Sequence, residues 1–254
     1  NAAYAEIAGL YVEKAQKKIF DLLIDSDEEC SLQSITHTVK FFEKGTRKLQ
    51  IISARQWFTC LLKHKAELLE QGEKICWHPS YMQNRYSNWV EGLTQDWCLS
   101  RQRYFGVPIP VWYPLTSTGA PDWNNPILPS IDKLPIDPLQ DLPDGYDERH
   151  RDNLVVEADG SKKGFTGDPD VLDTWATSSL TPQIATHGPL NPERHKKLFP
   201  MDMRPQSHEI IRTWAFYTIV KTWMHEREVP WYNVVISGWI LDPDRKKMSK
   251  SQGN

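Results

Sequence analysis

The chain has 254 residues, 39% of them hydrophobic, which is enough to bury a core as one large domain or one domain with an appendage. The net charge of −3 excludes an overall field that recruits nucleic acid, so any RNA contact has to use a local basic patch. No apolar run approaches membrane-spanning length, no signal peptide opens the chain, and the four cysteines form no Cys-x-x-Cys pair; these features predict a cytoplasmic protein with free thiols and no zinc site.

The first third of the chain alternates between helical and extended patterns. Residues 12–24 predict an amphipathic helix, because apolar side chains recur on one face and lysines on the other. Residues 35–42 and 49–52 favour two short strands joined by a turn. A second helix is predicted from about Trp57 to Gln71, with Gly72 as its stop, and a further helical stretch begins at Asn84.

The middle of the chain is rich in proline. Pro108 and Pro110 confine the apolar run after Gly106 to a sheet edge or an irregular segment. Residues 114–143 contain seven of the 18 prolines and predict an ordered but irregular excursion. Regular structure is expected to resume at Asp168, and Asp173 is placed to cap the turn that carries Trp175.

The last sixty residues predict a nucleotide-binding arrangement. Residues 208–227 are the clearest helix, with an apolar stripe formed by Ile210, Trp214, Tyr217, Val220 and Met224. Residues 233–237 form a short strand of the kind found in the middle of a parallel sheet, and Gly238 follows it. Ligands of doubly wound sheets bind outside the carboxyl ends of such strands.

A basic cluster follows this strand at Lys247-Met248-Ser249-Lys250-Ser251. Two lysines three positions apart on a loop suit the transient neutralisation of a phosphate chain. A solvated basic turn is the general alternative, since most Lys/Ser clusters are of that kind.

Several separated motifs share one resemblance. The loop at 247–251, the Ser237-Gly238 pair before it and Asp96-Trp97-Cys98-Leu99-Ser100-Arg101-Gln102 resemble class I aminoacyl-tRNA synthetases of the valyl, isoleucyl and leucyl subgroup. Asp170-Val171-Leu172-Asp173-Thr174-Trp175 is similar to the valyl branch of that subgroup. The resemblance covers roughly residues 50–254 and implies the second half of a Rossmann-type α/β catalytic domain.

The resemblance also implies a reaction. The expected substrates are valine, ATP as its Mg²⁺ complex and tRNA(Val), with valyl-adenylate as the intermediate. Lys247 and Lys250, with Ser249 between them, correspond to the catalytic loop, and backbone near Gly238 and Met248 to the adenine site. Glu209 corresponds to the acid that binds the ribose, although the family more often has Asp there; a first-turn helix carboxylate is the alternative. The neighbouring His208 is either a ligand contact or an ordinary residue at a helix start.

Four residues correspond to the amino-acid pocket or its surroundings. Val171 and Trp175 match the family's side-chain pocket. Phe105 stands where relatives usually have Trp, and we expect Trp112 to compensate for the smaller ring. A pocket of this kind excludes larger side chains by overlap but discriminates poorly against threonine, which has nearly the shape of valine.

The resemblance predicts a domain plan in which part of the enzyme lies outside these residues. Residues 1–50 are interpreted as the exit of the editing insertion and residues 51–254 as the catalytic half, with an irregular insertion at about 114–167. The His-x-Gly-His half of the class signature is absent from the chain. The expectation is an internal piece of a monomeric enzyme, inactive by itself.

Two other interpretations stay open. In the first, the chain is a piece of an isoleucyl or leucyl enzyme. The Asp-Thr-Trp-Ala-Thr-Ser-Ser run argues against this interpretation. Alternatively it is a non-catalytic RNA- or protein-binding module derived from a synthetase, which would also lack the His-x-Gly-His half.

Overall fold

The computed structural model describes residues 2–25, 33–42, 46–246 and 248. These residues divide into two compact units, 1–54 and 55–254, each described separately. Among the described helices, none combines the length and apolarity that crossing a bilayer requires.

The first unit contains a helical pair. Its helices are α1 (Ala2–Ile7) and α2 (Val12–Asp25), which confirms the amphipathic helix expected at 12–24. The Lys18 Nζ lies 3.0 Å from Glu6 Oε2 and ties the two helices together. The two strands predicted at 35–42 and 49–52 are wrong as strands, because only one isolated bridge, Phe41 to Lys48, forms between the described residues there.

The helices of the second unit lie mainly before and after its irregular middle. They are α3 (Lys65–Glu73), α4 (Gln83–Glu91), α5 (Thr174–Ser178), α6 (Thr181–Thr186), α7 (Pro192–Leu198) and α8 (Phe216–Glu226). Short 3₁₀ turns occur at Leu62–His64, Ser80–Met82, Ile131–Lys133, Glu148–His150 and His208–Ile210, and a π-helical turn at Ile211–Ala215.

The strands of the second unit are short. They are β1 (Phe58–Thr59), β2 (Cys76–His78), β3 (Trp97–Cys98), β4 (Ser100–Arg101), β5 (Trp112–Pro114), β6 (Val155–Val156), β7 (Lys162–Lys163), β8 (Phe165–Gly167), β9 (Val171–Leu172), β10 (Met201–Ser207) and β11 (Trp231–Ser237). The two longest, β10 and β11, run parallel, and β11 is the central strand of the order β10-β11-β2. The buried parallel strand predicted at 233–237 is therefore confirmed.

The main core lies between this sheet and the helices. Its largest fully buried side chains come from α3, α4, the π turn, α8 and β11: Leu68, Tyr86, Ile211, Phe216, Ile219, Trp231 and Val234. Burying each such side chain contributes roughly 1.5–3 kcal/mol.

The helix predicted at 57–71 begins later than expected. Phe58 and Thr59 instead pair antiparallel with Cys98 and Trp97. Asp96 Oδ1 then accepts hydrogen bonds from the backbone N–H groups of Leu61 (2.7 Å) and Leu62 (3.0 Å), and the chain turns there before α3.

Gly72 lies inside α3 and does not end it. A Cβ at this position would come within 2.3 Å of the Tyr86 ring. The glycine is therefore required by the close approach of α4, and the helix ends at Glu73, one residue beyond the predicted stop.

The helix predicted at 208–227 is helical throughout but changes type twice. The buried apolar residues of α8 are Phe216, Ile219, Val220 and Trp223, whereas Tyr217 and Met224 of the predicted stripe are only partly buried. The π turn supplies the reason, since its wider i→i+5 spacing rotates the following helix relative to a continuous α-helical register.

The proline-rich middle is ordered by two strand pairs, of which β5–β8 is long-range and β6–β7 is a local hairpin. Strand β5 pairs antiparallel with β8, and β6 with β7. The buried carboxylate of Asp168 accepts hydrogen bonds from Trp57 Nε1 (3.0 Å) and Tyr113 Oη (2.8 Å), which joins this segment to the residues before the core. Burial raises the pKa of Tyr113, and the hydrogen bond to the Asp168 carboxylate raises it further.

Candidate active site at the ends of two parallel strands

The candidate site begins where β10 and β11 end. The two strands finish in register, with Ser207 opposite Ser237. Because they are parallel, the residues that follow, His208 to Ile210 after one and Gly238 to Trp239 after the other, emerge at the same edge of the sheet. This is the edge at which doubly wound sheets bind their ligands.

Three side chains meet at this edge, and we call them the strand-end cluster: His208, Glu209 and Trp239. Trp239 Nε1 donates a hydrogen bond of 2.9 Å to Glu209 Oε2. The His208 ring centroid lies 4.6 Å from that of Trp239, and His208 Nδ1 lies 3.4 Å from the carbonyl oxygen of Ser237. Glu209 is thus held in place from the opposite strand, and Trp239 is a site residue that the sequence motifs had not singled out.

Gly238 faces open space. A Cβ built on it would meet no atom of the described residues within 4 Å. Neither protein packing nor a left-handed backbone therefore requires glycine here, and the surface above Gly238 is free for a flat ligand to approach the chain closely.

The segment after Trp239 folds into a turn that leads to the basic cluster. The Asp242 side chain accepts a hydrogen bond of 2.8 Å from Lys246 N, and Asp242 O accepts one of 2.9 Å from Arg245 N. Met248 is exposed. Lys247, Ser249 and Lys250 lie outside the described residues, so their catalytic role stays a prediction.

A second group of predicted site residues lies around β9 and α5. Asp173 begins α5, its Oδ1 accepting from the Trp175 backbone N–H at 3.4 Å, as the sequence predicts for a cap. Its other oxygen accepts from Trp97 Nε1 at 2.9 Å and lies 3.1 Å from Arg101 Nη2. The capping residue is also a buried anion that fixes an arginine and an indole of the motif at 96–102.

Gly106, the neighbour of Phe105 in sequence, packs against Val171. Val171 is buried and pairs with Arg101 across β4 and β9. A Cβ on Gly106 would lie 2.5 Å from Val171 Cγ2, so the backbone next to Phe105 packs directly on Val171. The Phe105 ring itself is 87% exposed and contacts Tyr104, and Trp175 is half-buried against the main core.

Trp112 does not supply a replacement wall. It is 1% exposed, and its Nε1 donates to the carbonyl oxygens of Pro138 (3.0 Å) and Asp141 (3.3 Å) within the proline-rich segment. We therefore correct this expectation: the indole is a core residue of that segment, already fully hydrogen-bonded, with no face left for a ligand.

No group of three or more His, Cys, Asp or Glu side chains able to hold a metal occurs among the described residues. Cys60, Cys76 and Cys98 are free thiols.

Comparison with known proteins identifies the family. The family model for class I tRNA synthetases (I, L, M and V) matches residues 3–254. The valine–tRNA ligases of Salinispora tropica and Thermobifida fusca are each 49% identical over 258 aligned positions, which cover 100% of this chain and 29% and 28% of those proteins. That of Rickettsia conorii is 47% identical, covering 98% of this chain and 29% of its own.

A solved structure of methionyl-tRNA synthetase from Mycobacterium tuberculosis, bound by methionyl-adenylate, is 17% identical with a TM-score of 0.48 and covers 84% of this chain and 31% of its own. The chain spans less than a third of the length of the curated relatives it matches. With the family model matching nearly every residue, the chain belongs to the class I tRNA synthetases that comprise the isoleucyl, leucyl, methionyl and valyl enzymes.

Proposed function

We propose that this chain is part of the amino-acid-activating domain of a valine–tRNA ligase. The observation that carries the proposal is 49% identity to valine–tRNA ligases over the whole chain. The reaction is activation of valine by ATP, followed by transfer to tRNA(Val), in the cytoplasm.

The first step requires positioning and charge neutralisation. A valine carboxylate oxygen attacks the α-phosphorus of ATP; the bond from that phosphorus to the bridging oxygen breaks, and pyrophosphate leaves with the electron pair and Mg²⁺. Glu209 accepts hydrogen bonds from the ribose hydroxyls, and adenine lies over the open backbone at Gly238, near Met248. Lys247 and Lys250, aided by the Ser249 hydroxyl, neutralise the leaving pyrophosphate.

The second step transfers the valyl group. A terminal ribose hydroxyl of the tRNA attacks the activated carbonyl and loses its proton, and AMP leaves as the ester forms. The valine side chain lies against Val171 and Trp175, with the backbone at Phe105 closing one side. The Asp173 and Arg101 pair holds the strand and helix that carry these residues.

The remaining parts of the chain are assigned by the same proposal. Residues 1–50 form the exit of the editing insertion, and residues 114–167 are an irregular insertion into the catalytic half at 51–254. The native enzyme works as a monomer.

Valine-dependent exchange of pyrophosphate into ATP tests the proposal. The protein used is the native polypeptide that carries these residues at its full natural length. We expect exchange with valine at a kcat/KM at least tenfold above that with isoleucine or leucine, since a larger side chain overlaps the pocket wall. A preference for isoleucine or leucine would assign the chain to another branch, and the absence of exchange with any of the three would favour a non-catalytic module.

A further inference from the structure

A cavity of about 300 Å³ next to the strand-end cluster has no role in the mechanism above. It is lined by Arg85, Asn88, Trp89, His208, Ile211 and Arg212. Its volume is at the lower end of the range for small-ligand sites. We call it the arginine cavity.

The lining of the arginine cavity is suited to an anion. It brings a residue of α4, Arg85, together with Arg212 of the π turn, and within the described part of the chain it includes no carboxylate. The arginine ion pairs found among the described residues belong to Arg101, Arg149 and Arg151. Since neither guanidinium group of the cavity has an ion pair with another described residue, their donors face the cavity free of carboxylates from this part of the chain.

A contact at Trp89 strengthens this inference. The Arg212 guanidinium lies 5.6 Å from the centre of the Trp89 ring, within the range of a cation–π interaction, which fixes the direction of the charge. Trp89 Nε1 is buried and, among the described residues, has no hydrogen-bond acceptor. The two guanidinium groups that line the cavity are the environment in which a phosphate oxygen would be stabilised.

We propose that the arginine cavity binds a phosphodiester of the RNA that receives the amino acid. His208 belongs to both the cavity lining and the strand-end cluster, so the cavity adjoins the site where the adenylate is proposed to form and to which the RNA terminus must come. The net charge of −3 gives the chain no general attraction for RNA, which leaves local clusters such as this one to provide it. The assignment rests on the proposed function and adds to it the point at which the RNA backbone is held.

The test compares the two half-reactions of the native polypeptide. In the variant with Arg85→Gln and Arg212→Gln, we expect exchange of pyrophosphate to stay within twofold of wild type, because that step needs no RNA. The KM for tRNA in aminoacylation should rise about tenfold or more, since charge-assisted hydrogen bonds are lost. The slope of log KM against the logarithm of the salt concentration should decrease by about one for each phosphate contact removed.

Two control variants make the result specific. Arg85→Lys with Arg212→Lys keeps both charges but loses the planar fork, and we expect it to recover part of the loss in RNA affinity. Arg194→Gln removes an exposed arginine that does not line the cavity, and we expect it to leave the KM for tRNA unchanged.

Other outcomes would overturn the assignment. A parallel fall in exchange and in aminoacylation would mean that the cavity serves ATP or the fold, and an unchanged KM and salt slope would mean that it binds no RNA. If the wild-type protein shows no exchange, the proposed function fails by itself. Fluorescence anisotropy with a short RNA ending in CCA then still tests the cavity, and equal binding by wild type and the Gln variant would reject it.

Discussion

At the scale of single residues, the site depends on contacts that a motif does not contain. The motif comparison indicated Glu209, but not that Trp239 from the next strand would donate a hydrogen bond to it. It also indicated Trp112, whose indole is enclosed by carbonyl groups more than twenty residues away. Residue types predict a possible role, whereas the partner that fixes or removes it is set by chain folding.

The Glu209 and Trp239 pair gives the first prediction. Glu209→Ala should raise the KM for ATP in pyrophosphate exchange about tenfold, because a charged acceptor for the ribose hydroxyls is lost. Trp239→Phe keeps a ring but removes the donor that orients Glu209, so a smaller increase of about threefold is expected. Glu193→Ala, at the start of α7, is the matched control. Equal KM values for all four proteins would exclude Glu209 from the nucleotide site.

Replacing glycine by alanine should have different effects on stability at two positions. Gly106→Ala puts a Cβ 2.5 Å from Val171 Cγ2 and should lower the free energy of unfolding by about 1–3 kcal/mol, the usual cost of overpacking. Gly238→Ala meets no atom within 4 Å in the part of the chain that the structure describes, and it should change this free energy by less than about 0.5 kcal/mol while weakening ATP binding. Urea unfolding of both variants is the measurement, and a Gly106→Ala protein as stable as wild type would contradict the packing described for Val171.

At the scale of elements, the sequence predicted those whose own pattern determines them. Helix α2 and strand β11 have the expected type and position because amphipathic spacing and a buried apolar run are local signals. The late start of α3 and the π turn before α8 were missed. The start of α3 depends on a distant partner, the Asp96 carboxylate. The π turn is a change of helix type within one helical segment.

Helix α8 gives a prediction for pH. Partial burial, and next the positive charge of Lys221, lower the pKa of His225, which stays partly exposed, with Glu226 acting in the opposite direction. The unfolded chain therefore binds more protons than the folded one below the ordinary histidine pKa of about 6.5, and stability falls as the pH drops through that value. One such group contributes a slope of at most about 1.4 kcal/mol per pH unit.

Replacement of this histidine isolates its contribution. Urea unfolding between pH 5 and 7.5 should show a smaller loss of stability for His225→Gln than for wild type. Identical pH profiles of the two proteins would show that His225 is equally hydrated in both states.

At the scale of the whole molecule, the second unit is held together by pairings far apart in sequence. The strands that form the site, β10 and β11, are separated by more than twenty residues, and their register places Ser207 opposite Ser237. A parallel crossover fixes such a register only through the packing of its helix on the sheet, so the sequence predicts the strand ends but not which side chains meet there. The arginine cavity was missed for the same reason, since Arg85 and Arg212 carry no motif and are joined only by the packing of α4 on the π turn.

The central claim is that the loop following this sheet neutralises pyrophosphate during valine activation. The most direct measurement is valine-dependent pyrophosphate exchange by the native polypeptide carrying Lys247→Ala and Lys250→Ala. Because these charges are proposed to act on the leaving group, kcat should fall at least about 100-fold, with the KM for valine within a few-fold of wild type. A double variant that keeps the full exchange rate would contradict the account.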